Sequence, residues 1–249
     1  MISIFKIVSL NIRAISYRKS IEEITEYAIM KKPSYVCFAN VHMVIEAYQD
    51  RQFAKDVNSA TLVLPDGMPL VKTLKWFYGI EQDRVAGMDV MPDLIRIASQ
   101  NNLKLFFFGT TPELLEKIRL KIEQDFPKSD IVGLFSPPFN EPLNNDLYIE
   151  MINSSGANLV FVALGCPKQE KWMAQNSHKI NAMLLGVGGA FPVFAGVASR
   201  APLFMQNTGL EWVYRLYQEP KRLFKRYLFT NSIFLFLVLK AKIKLIFQT

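Results

Sequence analysis

The fold of this chain is indicated most directly by one stretch, in which an apolar run leads into a helical pattern: Leu159-Val160-Phe161-Val162-Ala163-Leu164-Gly165-Cys166-Pro167-Lys168-Gln169-Glu170. A nearly continuous apolar run of this length is typical of a strand that is covered on both faces. Gly165 ends the run, and Pro167 suits the first turn of a helix, where a missing N–H group costs nothing. The stretch therefore predicts a buried strand that is joined to a helix by a short turn.

Short apolar runs alternate with helical patterns along most of the chain. The predicted strands are 35–38, 61–64, 105–108, 131–135, 159–164 and 183–187. The predicted helices are 41–55, 70–78, 89–99, 112–124, 148–154 and 167–178. Such alternation predicts an α/β fold in which helices flank a mostly parallel sheet.

The N-terminus has a different pattern. Residues 1–16 are rich in Ile, Val and Ser, and they predict a strand or a hairpin. Ser20 is the predicted start of the first helix, because Glu23 follows three residues later and the two would form a capping box. Lys6 and Arg13 interrupt the apolar residues, so we do not expect a secretory signal peptide.

Polar residues and glycines follow most of the predicted strands. They include Asn40, Asp66, Gly109, Gly165 and Gly188. Ligands in α/β folds gather at the carboxyl ends of parallel strands, and helices that begin there at Pro112 and Pro167 would present free N–H groups to a diphosphate. The alternative is that these are ordinary strand–helix turns, which every α/β sheet contains.

The excess positive charge lies at one end of the chain. The formal net charge is +7 over 249 residues, and residues 200–249 alone contain nine basic and two acidic residues. A basic patch attracts nucleic acid, anionic lipid or phosphorylated substrates. Phe and Leu residues are interspersed with these basic residues, which favours an anionic membrane surface and argues against a nucleic-acid partner.

The change in composition near residue 200 predicts two regions. These are an α/β domain at 1–199 and a basic, aromatic-rich helical appendage at 200–249 that contacts the membrane. The appendage includes an apolar run at 233–239, which is shorter than the about 20 residues needed to span a bilayer. This run either enters the membrane interface or packs onto the core or a partner subunit.

Several residue types that often carry chemistry are interpreted as structural here. His42 stands apart from other ligand-type residues, and no metal site is expected. Cys37 and Cys166 each close a hydrophobic run and are predicted to be buried free thiols, which fits a reducing cytoplasm. Trp172 and Trp212 are predicted to lie in the core.

Six short motifs occur in an order that is known from one family. They are Leu64-Pro65-Asp66-Gly67, Arg84-Val85-Ala86-Gly87-Met88-Asp89, Pro167-Lys168-Gln169-Glu170, Gly188-Gly189-Ala190-Phe191, Arg200-Ala201-Pro202 and the stretch 211–227, which opens with Glu211-Trp212. In this combination the chain resembles the WecB/TagA/CpsF glycosyltransferase family, glycosyltransferase family 26, over nearly its whole length.

The resemblance implies a Rossmann-like fold for the 1–199 region and an inverting glycosyltransferase that needs no metal cofactor. Members of the family move a sugar from a UDP-sugar to an acceptor linked to undecaprenyl diphosphate. The products are precursors of teichoic acid, enterobacterial common antigen, capsule or exopolysaccharide. We therefore expect a peripheral protein on the cytoplasmic face of the plasma membrane. The resemblance leaves four transferred sugars as alternatives: N-acetylmannosamine, its uronic acid, glucose and galactose. It also leaves both a monomer and a homo-oligomer as alternatives.

The resemblance gives Asp66 the role of the catalytic base, which takes a proton from the attacking hydroxyl. The alternative is a plain turn, since Pro-Asp-Gly is favourable turn chemistry. Gln169 would bind a sugar hydroxyl and Lys168 a phosphate, whereas such residues at a helix start are commonly exposed to solvent. Glu170 is expected only to interact favourably with the helix N-terminus.

Positive charge should offset the leaving diphosphate where no metal does so. Arg84, Arg215 and Arg222 are the candidates, with surface salt bridges or lipid contacts as the alternative. Arg215, Arg222 and Arg226 are spaced by seven and four residues, so they can share one helical face. Pro220 either begins a new helix within this stretch or kinks one.

The remaining substrate-binding residues are expected at the strand ends. Asn40 is expected to contact the nucleotide or the sugar, and Gly109, Gly165 and Gly188 are expected to line the same site. Many members of the family carry a Thr two residues before this Asn, but here Phe38 occupies that position. A contact from that hydroxyl is therefore in doubt, and the preference for the donor sugar can differ.

Two other functions stay open. The sheet pattern also suits a nucleotide-dependent oxidoreductase, although Gly-Val-Gly-Gly at 186–189 is not the dinucleotide-binding fingerprint. A non-catalytic, membrane-associated protein that binds nucleotide sugars would have the same cavity and basic tail, but it would not need Asp66.

Overall fold

The computed structural model describes residues 3–139 and 142–246, with side chains up to Ile243. Its centre is a six-stranded sheet in which every neighbouring pair is parallel. In spatial order the strands are β4 (Leu62–Pro65), β3 (Ser34–Ala39), β8 (Met183–Gly186), β7 (Leu159–Ala163), β5 (Lys104–Gly109) and β6 (Asp130–Phe135). The predicted α/β fold with a Rossmann-like parallel sheet is confirmed.

Helices cover both faces of this sheet. One face carries α1 (Tyr17–Ile29), α5 (Gly87–Asn101), α6 (Pro112–Asp125) and α9 (Ala190–Phe194), and the other carries α2 (Val41–Gln49), α3 (Arg51–Asn58), α4 (Met68–Tyr78), α7 (Asn145–Ser155) and α8 (Lys168–Asn176). Successive side chains of a strand point to opposite faces. Phe107 and Phe161 thus stack on the first face with ring centroids 5.2 Å apart, while Phe106 and Phe108 lie on the second. Burial on both faces explains the continuous apolar runs.

Two smaller predictions are also confirmed. The first is the N-terminal hairpin, in which β1 (Ile4–Ile7) and β2 (Leu10–Arg13) pair antiparallel as a separate sheet. The second is that both cysteines are free thiols. Cys37 is fully buried and Cys166 is partly buried.

The predicted start of α1 and its capping box are wrong. Ser16 caps the helix, because its side chain accepts a hydrogen bond from the backbone N–H of Lys19. The helix therefore begins one turn earlier than predicted, and Ser20 is buried within it. Glu23 does not reach back to the helix start but pairs with Arg13 at 2.9 Å.

The helix that was predicted at 41–55 is two helices, α2 and α3. Asp50 separates them, because its carboxylate accepts hydrogen bonds from the N–H groups of Gln52 at 2.9 Å and Phe53 at 3.1 Å. An aspartate in this position is a strong N-terminal cap, so it favours a new helix over a continuous one.

Between residues 201 and 246, the described part of the C-terminal region, the chain forms three helices: α10 (Leu203–Thr208), α11 (Glu211–Gln218) and α12 (Pro220–Ile246). Pro220 begins a new helix and does not kink an existing one. The last three residues and the side chain of Lys244, one of the nine basic residues counted above, lie outside the described part of the chain. The division into domains at residue 199 stays a prediction.

The long helix α12 has two different faces. Val238 and Phe234 are 4% and 8% exposed and belong to the core on the side of α2, which α12 contacts. Leu235 and Phe236 are 60% and 63% exposed. The run 233–239 therefore packs onto the core along one side and leaves the other side uncovered. Within the described residues, no helix combines the length and the apolar character that a bilayer span requires.

Val238→Asp should loosen α12 from α2, because it places a carboxylate in an apolar contact. We expect a loss of roughly 3 kcal/mol in the free energy of unfolding and faster cleavage within α12 during limited proteolysis. Leu235→Asp is the matched control, and it should leave both measurements close to those of the wild type. Equal destabilisation by the two variants would contradict this docking of α12.

Candidate active site

A cavity of about 920 Å³ lies at the carboxyl ends of the parallel strands. The turns after β3, β4, β7 and β8 form one side of it, and α11 and α12 contribute residues to the other side. A volume of this size suits a ligand of several hundred daltons. The cavity also lies where α/β sheets generally bind their ligands, because the loops after neighbouring strands diverge there.

Asp66 lines the cavity directly after β4. Its backbone N–H donates to the carbonyl of Ala39 at 2.9 Å, which fixes the turn to the end of β3. Burial raises the pKa of Asp66 to about 7; the charge of Glu211 acts in the same direction, while Arg215 and Arg84 oppose it. A carboxylate with this pKa can accept a proton at neutral pH and release it again.

Arg84 also lines the cavity, but its guanidinium already has protein partners. It lies 2.7 Å from Glu211, 3.1 Å from Asp89 and 3.0 Å from the side-chain oxygen of Gln206. Arg200 pairs with the same Asp89 at 2.8 Å. This network connects the loop before α5 with α10 and α11. A contact of Arg84 with a diphosphate stays a prediction.

Three further arginines enter the cavity from the C-terminal helices. They do not share one helical face, because α11 carries Arg215 while α12 carries Arg222 and Arg226. Arg222 pairs with Glu219 at 2.8 Å. Within the described residues, neither Arg215 nor Arg226 has a carboxylate oxygen within 4.0 Å, so their charge is available to a ligand.

Gln169 and Glu170 are buried at the start of α8, with 5% and 0% exposure. The alternative of solvent exposure therefore does not hold for Gln169, and Glu170 does more than interact with the helix N-terminus. The Gln169 side-chain nitrogen donates to Glu170 Oε1 at 2.7 Å and to the carbonyl of Gly186 at 3.1 Å. Burial raises the pKa of Glu170 to about 7, although the hydrogen bond from Gln169 opposes this.

Most of the other predicted residues also border the cavity. Asn40 lines it and caps α2 by accepting a hydrogen bond from the Met43 N–H at 3.1 Å. Gly165 and Gly188 line it as well, and Phe38 forms part of its buried wall.

Two predicted residues lie outside the cavity lining. Gly109 packs against β7, where an added Cβ atom would lie 2.3 Å from the carbonyl oxygen of Ala163, so its lack of a side chain serves the strand contact. Lys168 borders a smaller neighbouring pocket of about 60 Å³, together with Phe139.

Several cavity residues were missed or misread in the sequence. His42, interpreted as structural, lines the cavity, and burial together with the charge of Arg226 lowers its pKa to about 4. Trp212 was predicted to be core but is 39% exposed, lines the cavity and meets Tyr227 edge to face. Trp172 is 2% exposed, so its core position is confirmed. The sequence did contain a signal for His42, because it stands two residues after Asn40, which follows a strand at the edge where ligands bind.

Within the part of the chain that the structure describes, no three His, Cys, Asp or Glu side chains come together as a metal site. The cavity combines a partly buried carboxylate, Asp66, with several arginines at the end of a parallel sheet. That combination suits an enzyme that acts on an anionic substrate. The family model described as the glycosyl transferase WecG/TagA/CpsF family matches residues 5–247, and the chain belongs to this family.

Curated relatives extend the comparison. A protein of Bacillus spizizenii is 33% identical over 80% of this chain and 76% of its own length. One of Bacillus subtilis is 31% identical over 79% and 76%, and one of Staphylococcus aureus is 27% identical over 85% and 82%. All three are named N-acetylglucosaminyldiphosphoundecaprenol N-acetyl-beta-D-mannosaminyltransferase.

Arg84→Gln should weaken the attachment of α10 and α11, because it leaves Glu211 and Asp89 without this partner. We expect a loss of about 2 kcal/mol in the free energy of unfolding, measured by denaturant titration. Arg96→Gln is the control: its ion pair with Asp93 is largely exposed, and we expect a loss below about 1 kcal/mol. Similar losses in both variants would show that the Arg84 network does not hold these helices.

Proposed function

We propose that this chain transfers an N-acetylmannosamine-type sugar, with inversion, from a UDP-sugar to a glycan acceptor linked to undecaprenyl diphosphate. The observation that carries the proposal is Asp66, a partly buried carboxylate with a raised pKa that shares one cavity with arginines from the C-terminal helices. The names of the relatives support the transferred sugar and the acceptor. Precursors of cell-wall or capsular polysaccharide are the expected products.

Asp66 acts as the base in the proposed reaction. Its carboxylate takes the proton of an acceptor hydroxyl while the oxygen of that hydroxyl bonds to the anomeric carbon. The bond between this carbon and the UDP oxygen breaks at the same time, and UDP leaves with the electron pair. Attack from the face opposite the leaving group inverts the anomeric centre.

The arginines offset the negative charge that develops on the leaving diphosphate. Arg215 and Arg226 are the first candidates, because no carboxylate pairs with them within the described residues. Arg222 can join them by exchanging Glu219 for the diphosphate, since that ion pair is largely exposed. Arg84 pairs with Glu211, so this carboxylate does not neutralise the other arginines of the cavity, and their charge stays available to the substrate.

The C-terminal helices supply the proposed membrane contact. Large apolar side chains on α10 to α12 are exposed, among them Leu203, Phe204, Tyr217, Leu228 and Leu235. Each basic residue near an anionic surface contributes about 1 kcal/mol, so insertion of apolar side chains has to add to the binding. A peripheral position on the inner membrane face would bring a lipid-linked acceptor to the cavity. We therefore propose residues 1–199 as the catalytic domain and 200–249 as the membrane-contacting appendage.

Asp66→Asn should retain the fold and the binding of UDP but lose transfer by about 10²- to 10⁴-fold, because the amide cannot accept the proton. The assay is mass spectrometry of the product formed from UDP-N-acetylmannosamine and a short-chain polyprenyl-diphosphate-linked N-acetylglucosamine acceptor. Asp125→Asn, on an exposed carboxylate of α6, should keep full activity. Near-native turnover by Asp66→Asn would remove Asp66 from the mechanism. Absence of any turnover by the wild type with bound UDP would favour a non-catalytic binding protein.

The pH dependence of the same assay tests the state of Asp66. Because the base must be ionised, kcat/KM should rise about tenfold per pH unit below about 7 and level off above it.

The free energy of unfolding should instead fall as the pH rises toward about 7. The pKa is raised in the folded state, so the protonated form stabilises the fold, and this contribution is lost as pH rises through about 7. Asp66→Asn should remove the contribution of Asp66 to this stability change, while Glu170, whose pKa is also raised to about 7, keeps its own contribution. A flat activity profile from pH 5.5 to 7.5 would contradict the assignment.

Leu228→Asp combined with Leu235→Asp should reduce binding to anionic vesicles by at least about tenfold, because both side chains are exposed on α12 and would lose their transfer free energy. Flotation with phosphatidylglycerol vesicles measures the bound fraction. Leu120→Asp, an exposed leucine on α6, is the control and should float like the wild type. Equal flotation of all three proteins would leave these helices without a membrane role.

A further inference from the structure

Gln169 and Glu170 form a buried polar pair that takes no part in the proposed proton transfer. Gln169 lines the cavity, and its side-chain nitrogen makes the two hydrogen bonds described above, to Glu170 Oε1 and to the Gly186 carbonyl. The Gly186 carbonyl can only accept a hydrogen bond, so the amide nitrogen and not the amide oxygen must face it. The shorter of the two contacts, at 2.7 Å, is the one to Glu170.

The opposite side of the amide is unsatisfied. Gln169 Oε1 faces the glycine turn after β8, where a Cβ atom added to Gly188 would lie 3.0 Å away. Within the described chain this buried oxygen has no hydrogen-bond partner. Folded proteins rarely leave such acceptors unpaired, because their desolvation is not compensated.

The pair therefore lowers stability relative to an apolar alternative of the same size. Replacement of a buried ionisable group by a well-packed apolar residue is often neutral or stabilising. A buried acceptor on the wall of a substrate cavity instead gains a partner when a substrate brings a donor to it. This points to a role in binding.

We propose that Glu170 is a positioning residue: it holds the Gln169 amide with its oxygen toward the Gly188 turn on the cavity wall, where that oxygen accepts a hydrogen bond from a hydroxyl or N–H group of the substrate. A phosphate oxygen does not fit this place, because it is itself an acceptor. The inference rests on the proposed use of the cavity by a UDP-sugar.

Glu170→Leu and Glu170→Gln test the proposal as a matched pair. Leucine removes the acceptor at similar volume and frees the Gln169 amide to rotate, whereas glutamine keeps an oxygen that can accept the same bond. By calorimetry we expect Glu170→Leu to bind UDP-N-acetylmannosamine about tenfold more weakly and Glu170→Gln within about twofold of the wild type. The unfolding temperature of Glu170→Leu should equal or exceed that of the wild type. A loss of binding that comes only with a lower unfolding temperature would overturn the proposal.

A double-mutant cycle separates positioning from an independent role. If Glu170 acts through Gln169, the double variant Gln169→Ala/Glu170→Leu binds no more weakly than Gln169→Ala alone. Additive losses would overturn the proposal. UDP alone serves as the second probe. A loss for both ligands places the donor group on the nucleotide, and a loss for the UDP-sugar only places it on the sugar.

The side-chain amide of Gln169 gives a readout that needs no ligand. In ¹⁵N NMR spectra, with the resonance assigned by its disappearance in Gln169→Ala, its protons should exchange slowly in the wild type and faster in Glu170→Leu. Unchanged exchange would overturn the positioning role by itself. If exchange rises but the wild type binds neither UDP nor the UDP-sugar, the positioning role stands and the proposed function fails.

Discussion

The ion-pair network around Arg84 is the interaction on which the site depends. The Arg84 guanidinium joins the loop before α5 to Glu211 of α11 and Gln206 of α10, which lie 127 and 122 positions away in the chain. Lys72 adds an exposed hydrogen bond to the Thr208 carbonyl at the end of α10. Arg215 enters the cavity beside the β8 turn because α11 is fixed in this place.

The cavity balances charges of both signs. Burial alone would favour a neutral Asp66, and Glu211 adds to that effect, whereas Arg215 and Arg84 stabilise the carboxylate. A pKa near 7 results from this opposition, and it suits a base that must be free before the reaction and protonated after it. Arg215, which is proposed to offset the charge of a leaving diphosphate, therefore also lowers the pKa of Asp66.

The long helix α12 serves two surfaces at once. Val238 and Phe234 pack on the side of α2, while Leu235 and Phe236 remain uncovered. Arg222 and Arg226, near the start of the same helix, line the cavity. A helix that combines core packing, a cationic contribution to the site and an apolar outer face can place the cavity next to a lipid surface. The proposed transfer to a lipid-linked acceptor would make use of this arrangement.

The sequence by itself determined the sheet, because strands that are buried on both faces must be apolar throughout, and it placed Asp66 and Asn40 at strand ends. It also showed where the positive charge accumulates. Only the tertiary structure decided that Gln169 and Glu170 are buried and that Arg84 pairs with Glu211. The physical reason is range: strand and turn patterns are set by neighbouring residues, whereas burial, ion pairing and pKa depend on groups that the fold brings together from distant parts of the chain.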